Sequence, residues 1–276
     1  MWTFRLLDTG VGAPEDNMAL DEAILIEVGR GASPPTIRFY AWNRPTVSLG
    51  YFQRAAREID EAAVVARKYG LVRRMTGGRS VLHDREVTYS VIVPVGHELA
   101  QTSVVESFRI LSGALREGFC ALGLSAEVVS LADENEREKF QTLGSAACFD
   151  SPSWYELVVN GRKIAGSAQV RAHGGLLQHG SLVLDMRPED LFSVLLLRDG
   201  QDGKRLRAAF SERATGVKQL SGRDVAYREA VTAFQSGFAA GLPARLTLGL
   251  VTDEEAAQAR QLARDKYGAR EWTFRR

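Results

Sequence analysis

Residues 154–184 read WYELVVNGRKIAGSAQVRAHGGLLQHGSLVL, and their reading decides the fold class. The first six are rich in aromatic and β-branched types, and they run into Asn160-Gly161, a pair that readily takes the left-handed backbone of a two-residue hairpin turn. Residues 163–171 carry the chain back, and Gly174-Gly175 turns it again into 176–184. Three neighbouring antiparallel strands are therefore predicted.

Working outward, residues 16–28 (DNMALDEAILIEV) are helix formers throughout, with Asp16 placed to cap them. Two β-rich pieces follow at 36–40 and 46–51, separated by Asn43-Arg44-Pro45. Residues 58–69 predict a helix closed by Gly70. Strands at 71–75 and 87–93 flank a polar, glycine-bearing loop. Ser103 and Glu106 have capping-box spacing, ahead of a helix with Val104, Phe108, Leu111, Leu115 and Phe119 on one face. The run DENEREK at 133–139 lacks apolar periodicity and predicts a solvated, mobile connection ending near Gly144. Pro188 opens a helix through Leu196. Further helices are predicted at 224–240 and 252–267, the latter with a Thr252/Glu255 capping box. Strands and helices mix without strict alternation. That pattern predicts an α/β (α+β) fold, a mixed, largely antiparallel β-sheet covered by helices. The 276 residues read as a single domain, with 240–276 as a helical C-terminal extension, because no linker precedes it.

Charge narrows the function classes. With 35 basic against 34 acidic residues, the chain has no field for general binding of nucleic acid or membrane, so electrostatic recognition must be local. The longest apolar run, around Val194 to Leu197, is too short to span a bilayer. Two cysteines and no leader pattern predict a reducing, cytoplasmic setting. Cys120, ending an amphipathic helix, fits an inert buried thiol. None of His83, His97, His173 and His179 is spaced with cysteine or carboxylate in a zinc pattern, so no metal is expected.

Cys148 differs from Cys120. It lies in a non-periodic loop beside Asp150, Ser151 and Pro152, fifteen positions before Lys163. A thiol becomes a nucleophile as its thiolate, which an adjacent ammonium stabilises; a neutral amine there would serve as a base. Lys163 can play either part if the loop folds over the hairpin, and His83 or His179 could instead complete a Cys-His dyad. The loop RRMTGGRSVLHD at 73–84 is the second candidate. Its paired glycines let backbone approach a ligand and leave N–H groups to donate, although Gly-Gly serves ordinary surface turns equally well. Neither a Walker nor a dinucleotide spacing is present.

Taken together, NMALDEAIL (17–25), RFYAWNRPTVSLGYFQ (38–53), RRMTGGRSVLHD (73–84), TYSVIVP (88–94), CFDSPSWYELVVNGRKIAGSAQVR (148–171) and QHGSLVLD (178–185) resemble the lipoate-protein ligase A / octanoyltransferase superfamily. That superfamily is related in fold to biotin protein ligases. The block CFDSPSWYEL resembles its cysteine-dependent, Gram-positive-type octanoyltransferases. The resemblance implies that Cys148 accepts the acyl group and that Lys163 belongs to the acyl pocket. Arg74, Thr76, Gly77, Gly78, His83, Gly166, Ser167 and Ala168 would bind substrate. Arg79 stands where ATP-dependent ligases tend to carry a third glycine, which suits an already activated donor and implies neither ATP nor metal. The implied partners are octanoyl-acyl carrier protein as donor, and lipoyl domains of 2-oxoacid dehydrogenases or the glycine-cleavage H protein as acceptors. Arg73, Arg74, Arg79, Arg162 and Arg171 are candidates for docking the acidic carrier. An ATP-dependent lipoate ligase, an octanoyl amidotransferase from H protein to lipoyl domains, and a non-catalytic acyl-carrier-binding module are the alternatives.

Overall fold

The computed structural model describes residues 1–130, 155–197 and 202–276. Its centre is a six-stranded sheet in the order β10-β11-β6-β2-β1-β12. These strands are β1 (Trp2–Gly12), β2 (Thr36–Trp42), β6 (Glu86–Pro94), β10 (Ala165–Ala172), β11 (Gly175–Val183) and β12 (Ala244–Leu248). Three neighbouring pairs are antiparallel, while β1 runs parallel to both β2 and β12. Two small sheets flank it, each three-stranded. One is β4 (Gly70–Arg73), β3 (Thr46–Leu49) and β5 (Val81–His83); the other is β7 (Glu127–Ser130), β8 (Tyr155–Val159) and β9 (Arg162–Lys163).

Alternation along the strands builds two cores, because successive side chains leave opposite faces. Ile37, Phe39, Val87, Tyr89, Val91 and Val93 point to a face covered by α5 (Val104–Ala121) and α9 (Tyr227–Gly241), through Leu111, Leu115, Phe119, Phe234 and Phe238. Leu7, Ile92 and Leu177 point the other way, onto Ile24, Leu25 and Val28 of α1 (Pro14–Gly29). A third core joins β3 to residues Val194, Leu195 and Phe210.

Helix α1 is buried almost all round, so it has no polar face to mark it as amphipathic. Its cap is Ala13, with Pro14 in the first turn, and not Asp16. The 58–69 helix divides into α2 (Ala55–Glu58) and α3 (Glu61–Ala66), and Gly70 opens β4 instead of closing a helix. Ser103 caps α5 by accepting from the Glu106 N–H, while the Glu106 carboxylate turns to Arg109. Val104 is exposed, and so is Cys120, which lies one turn beyond exposed Arg116, off the apolar face. The Thr252/Glu255 capping box forms on α10 (Asp253–Leu262). Within the stretch read as a helical extension, Ala244–Leu248 is strand β12. Arg5 of β1 fastens α10 to the central sheet, donating to both Glu255 oxygens at 2.5 and 2.9 Å.

The hairpin turns fall almost where the sequence puts them. Asn160 (φ 50°) and Gly161 (φ 71°) make the first; the second uses His173 (φ 51°) and Gly174 (φ 74°), one residue earlier than Gly174-Gly175. The three strands do not share one sheet, however. β9 ends at Lys163, and the chain crosses at Ile164 into β10 of the central sheet. The connection read at 133–144 lies outside the described residues.

Candidate active site

The small residues of β10 and β11 leave a narrow hollow on the central sheet. Gly166, Ser167 and Ala168 pair with Ser181, Gly180 and His179, and between them they floor a pocket walled by Met18, Tyr40, Arg74 and His83. Arg74 leaves the end of β4 and is 4 % exposed. Its guanidinium holds the loop 76–80 from inside, donating to the carbonyls of Gly77 (2.9 Å) and Arg79 (3.0 Å) and to Ser48 O (2.7 Å) and Oγ (2.8 Å). A planar five-donor group suits this work, since it satisfies several fixed carbonyls at once.

Two buried histidines edge the pocket. His83 Nε2 lies 2.7 Å from Ser48 Oγ, its ring stacks on Trp42 at 4.3 Å, and Nδ1 lies 3.4 Å from Glu86 Oε1. Ser48 Oγ, which also accepts from Arg74 Nη1, thus joins His83 to the arginine that holds the loop. His179 Nε2 lies 2.7 Å from Thr76 Oγ1, and Nδ1 lies 3.0 Å from Asp21 Oδ2. Burial pushes His179 below its ordinary value of 6.5 despite the Asp21 carboxylate, so the ring is neutral at pH 7. A carboxylate accepts only, so Nδ1 carries the proton and Nε2 accepts from Thr76.

Asp21 anchors this chain of bonds. Its two oxygens also accept from Arg38 (2.7 Å), Tyr40 (2.9 Å) and Ser90 (3.0 Å). Burial pushes its carboxyl up, but Arg38 and His179 outweigh that and hold it below 3.8.

Lys163 occupies a different place. It sits on β9, 4 % exposed, with Nζ 2.9 and 2.8 Å from the two oxygens of Glu156 on β8. The hairpin register explains the pair: Lys163 lies opposite Val158, so Glu156 is its diagonal neighbour on the same face. The structure thus brings Arg74, His83, Gly166, Ser167 and Ala168 around one pocket, with Thr76 fully buried behind His179. Gly77 is half-buried and Gly78 exposed, on the outer side of the loop. There Gly50 passes so close that a Cβ on it would stand 1.9 Å from the Gly78 carbonyl oxygen. Cys148 lies outside the described residues.

Sequence reasoning missed Asp21, Ser48 and Glu156. Asp21 carried a signal, an acid inside the apolar run of α1. Glu156 carried one too, two positions before the residue that a two-residue turn sets against Lys163. Arg73 and Arg74, candidates for docking the carrier, are buried. Arg73 donates to the carbonyls of Gly50 (2.8 Å), Gln53 (2.8 Å) and Thr273 (2.7 Å), tying loop 50–53 to α11 (Arg270–Thr273). Among the described residues no group of three or more His, Cys, Asp or Glu is placed to hold a metal ion. None of their helices is long and apolar enough to cross a membrane.

Comparison with known proteins defines the class. Residues 13–239 match the lipoyl protein ligase A/B catalytic domain, so the chain belongs to that family, and it is an acyltransferase. Its similarity to particular members is full-length. It is 50 % identical over 276 residues to the octanoyltransferase LipM of Brevibacillus brevis, covering all of both chains. It is 43 % identical over 274 residues to that of Staphylococcus aureus, covering 99 % of each. A crystal structure of lipoate-protein ligase A bound with ATP superposes with a TM-score of 0.76 at 26 % identity, over 99 % of this chain and 98 % of that one. The fold is shared with a bi-partite lipoate protein ligase of Thermoplasma acidophilum, at a TM-score of 0.80, 24 % identity, and 99 % and 97 % coverage.

Proposed function

We propose that this chain transfers an octanoyl group in lipoate biosynthesis, from octanoyl-acyl carrier protein through a Cys148 thioester to a lysine of a lipoyl domain or glycine-cleavage H protein. The observation that carries the octanoyl group is the full-length, 50 % identity to octanoyltransferases. The pocket over Gly166, Ser167 and Ala168 supports it, being narrow and walled by Met18 and Val81. In the first step the Cys148 thiolate attacks the donor's thioester carbonyl and the carrier's pantetheine thiol leaves with a proton. One thioester replaces another, so the donor supplies the activation and neither ATP nor metal enters. In the second, the acceptor lysine amine attacks the acyl-enzyme, the amide forms, and the Cys148 thiolate is released. Dividing one acyl transfer into two is the advantage of covalent catalysis. Lys163, oriented by Glu156, stabilises the thiolate as an ammonium, gives that proton to the departing pantetheine thiolate, and as a neutral amine then takes the proton of the attacking lysine.

The test is incubation with octanoyl-acyl carrier protein without ATP, followed by intact mass. One octanoyl adduct, removed by hydroxylamine and absent from Cys148→Ala, is expected, with Lys163→Ala slowed. No adduct on the wild type, or an undiminished one on Cys148→Ala, refutes the reading. Product from free octanoate plus ATP would favour the ligase alternative, which the likeness to an ATP-bound ligase keeps in view.

A further inference from the structure

The loop carrying Gly77 and Gly78 is backed on its outer side by side chains that the transfer chemistry does not use. Phe52 is 66 % exposed, and a Cβ on Gly77 would lie 4.0 Å from its ring. Its ring meets that of Tyr51 edge-on at 4.9 Å, and Tyr51 meets Trp272 at 5.9 Å. Over this aromatic row lie two guanidinium groups. Arg275 stands 4.1 Å above Tyr51, and Arg276 5.4 Å from Phe52. The Arg276 carbonyl accepts from the Ala55 N–H (3.1 Å), which brings it beside Arg54. Arg54, Arg275 and Arg276 are all exposed.

Among the described residues, the acid beside Arg54 is Glu58, and its carboxylate is turned inward to Gln53 Nε2 (2.5 Å) and the Arg54 N–H (3.2 Å). Arg54, Arg275 and Arg276 thus put three exposed guanidinium groups on one lip, in a chain whose net charge is only +1. Buried Arg73 lies beneath and feels the crowding: burial, then Arg275 and Arg276, push its pKa down. Stacking on aromatic rings also fixes the guanidinium planes before any partner arrives, so less entropy is lost on binding.

We infer that this arginine and aromatic lip, rather than Arg73 and Arg74, docks the acidic face of the carrier protein that delivers the acyl thioester; the inference rests on the donor proposed above. Positive charge beside the pocket's loop steers an acidic carrier and raises its rate of encounter. Phe52 supplies the apolar anchor that such a polar rim surrounds.

The experiment compares two donors, octanoyl-acyl carrier protein and octanoyl-pantetheine, which has the thioester but no protein. Arg54→Glu with Arg276→Glu should lower kcat/KM for the carrier by about tenfold or more through KM, leave octanoyl-pantetheine unchanged, and flatten the salt dependence. Arg54→Lys with Arg276→Lys should restore most of the loss. Unchanged kinetics with the carrier, or an equal fall with both donors, overturns the docking surface while leaving the transfer reaction standing. A wild type that takes octanoyl from neither donor overturns the donor reading and this surface with it.

Discussion

Replacing Asp21 by Asn tests the network beneath the pocket. Asp21 and Arg38 are each 1 % exposed, and the carboxylate accepts from Arg38, Ser90, Tyr40 and His179. Asparagine keeps one oxygen and turns an NH2 toward two of those donors. Breaking a buried ion pair by removing one partner costs about 3–5 kcal/mol. The donors that lose an acceptor account for part of the same figure, at about 1–3 kcal/mol each. Taking about 4 kcal/mol, and an unfolding entropy of about 2.1 cal/mol/K per residue, Tm should fall by roughly 7 °C for a chain of this length. Scanning calorimetry at pH 7.5 reads this directly. A double-mutant cycle with Arg38→Met adds a check, because two residues in contact should lose less together than the sum of their separate losses. A Tm within about 2 °C of wild type, or strict additivity in the cycle, would refute the claim that the pair is a buried, coupled ion pair.

The pH dependence follows from His179. Its folded pKa lies below 6.5, so as pH falls through 6.5 the unfolded chain takes up a proton that the folded chain refuses, and stability declines. Half-buried His97, also lowered mainly by burial, adds to the same slope. Asp21, held below 3.8, adds a second loss only as pH falls through that value. Urea melts at pH 7.5, 6.0 and 5.0 should show the decline, and His179→Gln should flatten it; rising stability toward pH 5 would contradict the burial argument. Gly50→Ala would drive a methyl into the Gly78 carbonyl, backbone against backbone, and should cost about 1–3 kcal/mol while slowing octanoyl transfer. Wild-type Tm and turnover in that variant would show that the two loops do not need their close approach.

The sequence carried the local devices and lost the long-range ones. The Asn160-Gly161 turn and the Thr252/Glu255 box are set by residues within four positions, so their chemistry was readable. Strand β1 was not, because Phe4, Arg5, Leu6 and Leu7 are all buried and no alternation marks them. Strand β12 is short and mostly exposed, and only its pairing with β1 identifies it. Arg73 looked like a docking residue because its carbonyl partners lie as far as 200 positions away. In the pocket, Arg74, His83 and the Gly166 to Ala168 run were legible as motifs. The bonds joining Thr76, His179 and Asp21 cross from loop to strand to helix, and sequence spacing does not reveal such meetings.

The crossing at Ile164 has a consequence for how such a protein can diverge. Lys163 and Glu156 belong to one sheet, and the pocket floor that begins at Gly166 belongs to another. On the proposed assignment, substitutions that retune the amine fall on the flanking hairpin, and those that reshape the pocket floor fall on the central sheet. On that assignment selection can adjust the amine and the pocket floor as nearly separate inheritances, joined by a single peptide step.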